Sequence, residues 1–329
     1  MSIKKNKVVI FVLGYRAIDF LKNGSLDSII LASRKIDNSK VDIVYLDNYS
    51  RDGSIQYLLK EYPNIDLLLS PKNYLYCKGI NVGIQYAYQK YKPNYFILAD
   101  ADNPCEPNAY KELVDFANKN TSIGIIQPQV RSLENHSIIY SCGHFYQRGI
   151  FCKPFRIIPI NRKRLLNLPS CSISSTLIKT KVFEVCGLLD PIFEIYYESS
   201  DISFRARKAG FRCACHLKAI SYNKRTMIDY DNFHKCFYRN RNSLIFWKKH
   251  DENNYRKLLN IQLKKYNTLN KKLSQQKYVT NIIDESTRKG IEEGLEITRK
   301  KNFNKNHIVH IKDFSKTDII LLQKAKRNL

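Results

Sequence analysis

The chain has 329 residues, 43% hydrophobic and 26% charged, so it can build an ordinary soluble core and is not a disordered polymer. No run approaches the roughly 18–20 apolar residues of a membrane-spanning helix. Fifty-five Lys and Arg against 30 Asp and Glu give a formal charge of +25, a surface that seeks anions without saying which.

In chain order, the basic N-terminus leads into a short apolar run over 8–13, which reads as a buried strand and not as a leader peptide. Further strands are predicted over 42–46, 65–69, 95–99 and 123–127. They are short, rich in Val, Ile and Leu, and lack alternation, as strands covered on both faces should. Helices are predicted between them over 20–35, 54–61, 80–91 and 107–118, the last opened by Pro107, which suits a first helical turn. This alternation predicts an α/β fold with a mainly parallel sheet flanked by helices. Ligands in such sheets bind beyond the carboxyl ends of the strands.

Residues 133–169 are irregular and basic, with Arg148, Lys153, Arg156, Arg162, Lys163 and Arg164. Regularity returns over 176–178 and 181–186 and in a helix over 201–209. After His250 the composition turns to Lys, Asn and polar helix formers, and residues 251–329 carry +9 of the formal charge. The expected division is a main domain over 1–250, with halves at about 1–130 and 131–250, and a basic, mostly helical extension over 251–329. Nine cysteines lie between Cys77 and Cys236 without a CxxC pair. Cys213 and Cys215 fit alternate strand positions better than a zinc knuckle, so reduced, mostly buried thiols of a cytoplasmic protein are expected.

Three acidic segments stand where chemistry would be placed. After the second strand comes Asp47-Asn-Tyr-Ser-Arg-Asp52-Gly-Ser54. A carboxylate there can accept hydrogen bonds from a nucleobase or a ribose, or the segment is only a strand–turn–helix connection. The strand over 95–99 delivers Asp100-Ala-Asp102, two carboxylates of the type that holds Mg²⁺ or Mn²⁺ together with substrate phosphates. Tyr197-Glu198-Ser-Ser-Asp201 opens a helix, where either carboxylate is a helix-end partner or a general base. No GxGxxG, GxxxxGK[ST] or HExxH pattern occurs, and a nucleic-acid partner has no support beyond charge.

Taken in order, these segments resemble the family 2 glycosyltransferases over about residues 5–250. Gly14-Tyr15-Arg16 looks like the family's first strand end and aromatic donor contact. Asp47 to Ser54 is similar to its D-N-x-S-x-D-G-S segment, and Asn73 with Lys78-Gly-Ile-Asn81-Val-Gly83 to its N-x-G-x-x-x-G-x-N-x-G stretch. Asp100-Ala-Asp102 stands in the place of its metal-binding DxD. Gly187-Leu-Leu-Asp190 and Glu198-Ser-Ser-Asp201-Ile-Ser-Phe-Arg205 resemble its G-x-x-D and E-D-x-D-L-x-x-R. The resemblance implies a GT-A fold and an inverting transfer of sugar from a nucleotide-diphosphate donor to a glycan, lipid-linked glycan or glycoprotein hydroxyl in surface-polysaccharide synthesis. It implies nucleotide-sugar contacts at Tyr15, Asp47, Asp52, Asn81 and Asp100, a Mg²⁺ or Mn²⁺ at Asp100 and Asp102, and catalysis at Glu198 or Asp201. Two positions depart from the pattern: Ser199 replaces the family's usual base, and Ile220-Ser-Tyr-Asn223-Lys224 lacks the His that often joins the metal site. A GT-A domain that binds its ligands without turnover is therefore the second reading. The basic tail suggests peripheral docking on the anionic inner face of the cytoplasmic membrane.

Overall fold

The computed structural model describes residues 6–157, 163–224, 229–274 and 282–324. Arg162 of the basic stretch lies outside the described residues. Strand β1 (Asn6–Gly14) leads through α1 (Ile18–Lys22) and α2 (Ser25–Arg34) to β2 (Ser39–Asp47). Then come α3 (Ser54–Glu61), β3 (Asp66–Leu69), α4 (Leu75–Tyr91), β4 (Tyr95–Asp100), α5 (Ala109–Lys119) and β5 (Ile123–Ser132). The basic region forms the short strands β6 (Ile139–Ser141), β7 (His144–Gln147), β8 (Phe151–Pro154) and β9 (Arg164–Leu166). After it follow β10 (Thr176–Lys179), α6 (Thr180–Cys186), α7 (Glu198–Lys208) and β11 (Arg212–Asn223). Helices α8 (Asp229–His250), α9 (Glu252–Ser274) and α10 (Ile282–Arg299) and strand β12 (Ile320–Gln323) complete the described chain.

The main sheet has the order β12-β3-β2-β1-β4-β10-β5-β11-β9, with β6 beside β5; β7 and β8 pair separately. Its heart, β3-β2-β1-β4, is parallel, and so is the β5–β11 pair. β10 is inserted antiparallel between β4 and β5. The unbroken apolar run of β1 is explained by burial on both sides. Val9, Phe11 and Leu13 enter one core, while Val8, Ile10 and Val12 enter the other. β11 behaves likewise: Cys213 and Cys215 face the first core and Ala214 the second. All nine cysteines are free thiols, seven buried and two half-buried.

Two elements differ from the sequence expectation for local reasons. The helix expected over 20–35 is cut in two at Gly24, whose left-handed φ of +79° interrupts the helical turn. α4 begins five residues earlier than its apolar period suggests. Asn48 Oδ1 accepts from the Tyr74 N–H (2.9 Å) and its Nδ2 donates to the Leu75 carbonyl (3.0 Å), so a side chain on another loop fixes the helix start.

The residues after His250 are built into the same core. Tyr255, Leu258, Ile291, Leu295 and Ile311 belong to the same hydrophobic cluster as Val9 and Phe11 of β1. The stretch 303–316 then runs back across the molecule. The Leu188 N–H donates to the Val309 carbonyl (2.8 Å), Gln85 Nε2 donates to the His310 carbonyl (2.9 Å), and Phe314 meets Tyr86 edge-on. β12 finally pairs antiparallel with β3, beside an Asp318–Lys78 ion pair of 3.1 Å.

Candidate functional site

The parallel register brings the acidic segments side by side. Gly14 pairs with Asp47 across β1 and β2, and Leu13 pairs with Asp100 across β1 and β4. Gly14 has no alternative here, because a Cβ would fall on the hydroxyl end of the buried Tyr45 ring. Asp47 is fully buried; Oδ1 accepts from the Ser50 N–H (2.7 Å), while Oδ2 has no partner among the described residues. Burial holds the Asp47 carboxyl above its ordinary pKa. Asp52 is arranged differently. Burial alone would raise it, but bonds from Ser54 Oγ (2.7 Å) and the Ile18 N–H (3.1 Å) bring it below its ordinary value. It therefore ties the loop after β1 to the start of α3. Tyr15 beside them is 45% exposed, with the Arg16 guanidinium 5.2 Å from its ring centre. Tyr15 and Asp47 thus follow and end neighbouring strands, with Asp52 bonded to the loop after Tyr15.

The first half of α4 packs closely on β1. Gly83 lies so close to β1 that a Cβ would enter the Phe11 ring, and Gly79 lies against Leu13. Asn81, expected as a donor contact, is buried and exchanges two hydrogen bonds with the Leu189 backbone, at 2.7 and 3.0 Å. It joins α4 to the Gly187–Asp190 turn.

Asp100 and Asp102 stand at the end of β4. Asp100 Oδ1 is buried without a partner among the described residues, and its other oxygen lies 3.4 Å from Asn103 Nδ2. Burial, reinforced by the charge of Asp102, pushes the Asp100 carboxyl up to about 7, and burial raises Asp102 as well. Such a pair is short of positive charge. No group of three or more His, Cys, Asp or Glu suited to a metal ion occurs among the described residues. The two carboxylates nevertheless fit a hard cation that takes its remaining ligands from phosphate and water. Where the family often has a His, Asn223 Nδ2 donates to Asn103 Oδ1 (2.7 Å), and Asn103 in turn bonds Ser174. Asn223 therefore holds the loop that follows the acidic pair.

The two carboxylates that open α7 have opposite surroundings. Glu198 is 7% exposed, its Oε2 has no partner among the described residues, and burial pushes it up to about 7, helped by Asp100 and Asp201. Asp201 is fully buried between two cations and an imidazole. Arg205 Nε donates to Oδ2 (2.8 Å), and Lys249 Nζ and His250 Nε2 lie 3.0 and 2.8 Å from Oδ1. Burial alone would raise the Asp201 carboxyl, but Arg205, His250 and Lys249 hold it well below the usual carboxylate range. Lys249 also reaches Asp190 (2.5 Å), the last residue of the Gly-Leu-Leu-Asp turn. The sequence reading missed Lys249 and His250, which come from α8, about 50 residues away, with no local pattern to mark them. It also missed Tyr76, whose hydroxyl faces Asp100 and stands in the field of Glu198.

Paired carboxylates at the ends of parallel strands, beside a second acidic cluster at a helix start, on this sheet order define a GT-A glycosyltransferase. The model described as glycosyl transferase family 2 matches residues 21–187, just over half of the chain, and the chain belongs to that family. It is similar to the N-acetylglucosaminyl-diphospho-decaprenol L-rhamnosyltransferase of Mycobacterium tuberculosis, at 22% identity over 227 residues, 61% of this chain and 72% of that protein. It is also similar to the low-salt glycan biosynthesis hexosyltransferase Agl10 of Haloferax volcanii, at 25% identity over 60% of this chain and 61% of that one. Among solved structures, GalNAc-T7 with UDP, GalNAc and Mn²⁺ superposes with a TM-score of 0.58 at 14% identity, covering 89% of this chain and 56% of that one. S. aureus TarS does so with a TM-score of 0.50 at 13% identity, over 74% of this chain and 40% of that one. The chain thus spans only part of these solved proteins, and the likeness to them is one of fold.

Proposed function

We propose that this chain is an inverting glycosyltransferase that moves a sugar from a nucleotide-diphosphate donor to a hydroxyl of a glycan or lipid-linked glycan, in the synthesis of a surface polysaccharide. The observation that carries this reading is Glu198: a buried carboxylate with an unpartnered oxygen, held near neutrality within the field of Asp100. Asp47 and Tyr15 receive the nucleoside, with Asp52 fixing the loop between them. Asp100 and Asp102 are the residues that would hold Mg²⁺ or Mn²⁺, whose charge stabilises a departing diphosphate. The acceptor oxygen attacks the anomeric carbon from the face opposite the diphosphate as its proton passes to Glu198 Oε2, and the bond from that carbon to the phosphate oxygen breaks. Asp201 anchors α7 through Arg205, Lys249 and His250 and takes no proton. Ser199 then need not act as a base, because Glu198, one position earlier, supplies the carboxylate.

The similarity to an enzyme named for a diphospho-decaprenol acceptor supports a lipid-linked acceptor, and a membrane-side location follows from such a substrate. No helix among the described residues is long and apolar enough to cross a membrane. The first test is thermal stabilisation by UDP, GDP, dTDP and CMP with and without Mn²⁺, followed by nucleotide release from the donor sugars that the preferred nucleotide indicates. One nucleotide is expected to raise Tm by about 5–10 °C in the presence of Mn²⁺. Stabilisation by none of the four would overturn the reading. Nucleotide binding without release from any donor sugar, in the presence of mixed lipid-linked glycans, would favour a binding domain without turnover.

A further inference from the structure

Away from the acidic site, at the β9 edge of the sheet, lies a cleft of about 740 Å³ lined by Glu112, Lys163, Arg164, Asn167, His216 and Lys218, with Leu166 beside them. We infer that it is a second binding site, for a phosphate group, distinct from the nucleotide-sugar site. The separation follows from the strand itself. Along β5, His216 stands opposite Pro128 and Asn223, the β11 residue at the acidic site, opposite Ser132, four residues or roughly 13 Å further on.

Charge is the first argument. Elsewhere in this protein the buried cations are matched: Lys249 with Asp190 and Asp201, Arg241 with Glu194 and Glu293. In the cleft, Lys163, Arg164 and Lys218 are exposed, and none has an ion-pair partner among the described residues. The one carboxylate of the lining, Glu112, faces His216 at 3.6 Å. Three cations against one anion favour a ligand carrying close to two negative charges, which a phosphomonoester does at neutral pH. Arg164 is set over the Phe116 ring at 5.6 Å, which fixes the direction of a planar group suited to two phosphate oxygens. The second argument is Asn167. Its Oδ1 accepts from Arg212 Nε at 2.6 Å, which orients the amide, and its NH₂ has no bond among the described residues. The cleft therefore combines three unmatched positive charges with an oriented neutral donor.

The test is titration with inorganic phosphate at constant ionic strength, following the Asn167 side-chain NH₂ signal and those of its neighbours by ¹⁵N NMR. Saturable shifts confined to the cleft are expected. Arg164→Ser with Lys218→Ser should weaken binding about tenfold or more. Lys181→Ser with Lys312→Ser, an equal loss of charge elsewhere, should leave it unchanged. Co-sedimentation with phosphatidylglycerol vesicles, against phosphatidylcholine alone, separates the sources. Retention that falls in the cleft variant assigns a lipid headgroup, and phosphate binding without retention assigns a soluble phosphate compound. Absence of saturable shifts, an equal effect of the two double variants, or displacement of phosphate by the preferred nucleotide would each overturn the inference. Its failure leaves the transferase reading untouched, since no residue of the cleft belongs to the acidic site.

Discussion

Glu198 and Asp201 stand three positions apart on one helix turn, yet their neighbours send their proton affinities in opposite directions. In the folded chain Glu198 binds its proton more tightly than an unfolded glutamate does. Its contribution to stability is therefore complete below about pH 4.5 and is lost as the pH rises through about 7. Under the proposed mechanism activity follows the opposite course, because a base must be ionised. The transfer rate is expected to climb with pH through about 7, and Glu198→Gln should lower it by about 10²–10⁴-fold while nucleotide binding stays within about twofold. Steady-state kinetics and nucleotide titration of the variant check both halves. Asp201, held low, contributes stability that is present above the ordinary Asp range and is lost only as the pH falls far below it. Asp201→Asn would leave the buried Lys249 with Asp190 alone, and should cost about 3–5 kcal/mol of folding stability in urea unfolding. The two substitutions thus separate a base from an anchor. Asp102→Asn should abolish the Mn²⁺-dependent part of nucleotide stabilisation while leaving the metal-free melting temperature near that of the parent.

At the scale of elements, what was legible in the sequence is what a local pattern determines. The apolar runs within β1, β3 and β4 arise because both their faces are covered, and α3 follows at once from the Asp52-Gly-Ser turn. Asp47, Asp100 and Asp102 fall at strand ends, so their convergence could be expected from a parallel sheet alone. The early start of α4 was not legible, since Asn48 imposes it through bonds to residues 26 and 27 positions later. Nor could spacing reveal that Asn81 turns to Leu189, or that Lys249 and His250 surround Asp201. The close contact of α4 with β1 gives a further expectation. Gly83→Ala must displace the Phe11 ring, and overpacking of this kind costs about 1–3 kcal/mol. Adding Phe11→Leu should recover part of the loss, as read by thermal unfolding. Failure to recover any would mean that the helix backbone, not the ring, sets the contact.

Over the whole molecule, the basic tail has two parts with different roles. α10 lies against α8, with Gly290 facing the Phe237 backbone, while residues 303–316 strap the Gly187–Asp190 turn to α4. Ending the chain at residue 302 would remove buried Ile311 and half-buried Phe314 with the bonds at Leu188 and Gln85. A loss of at least about 3 kcal/mol in urea unfolding is expected from those side chains alone.

The pairing of β12 with β3 also has a consequence for how the chain is made. β3, Asp66-Leu-Leu-Leu69, leaves the ribosome some 250 residues before β12, and among the described residues its outer edge is closed by residues 320–323. At about 5–20 residues per second, some 250 residues of synthesis leave that leucine-rich edge open for about 13–50 s. During that interval it is a template for any neighbouring strand. Closely spaced ribosomes on one message would hold several such edges within reach of each other, so the yield of soluble protein should fall with initiation rate more steeply than that of a chain whose sheet closes in sequence order.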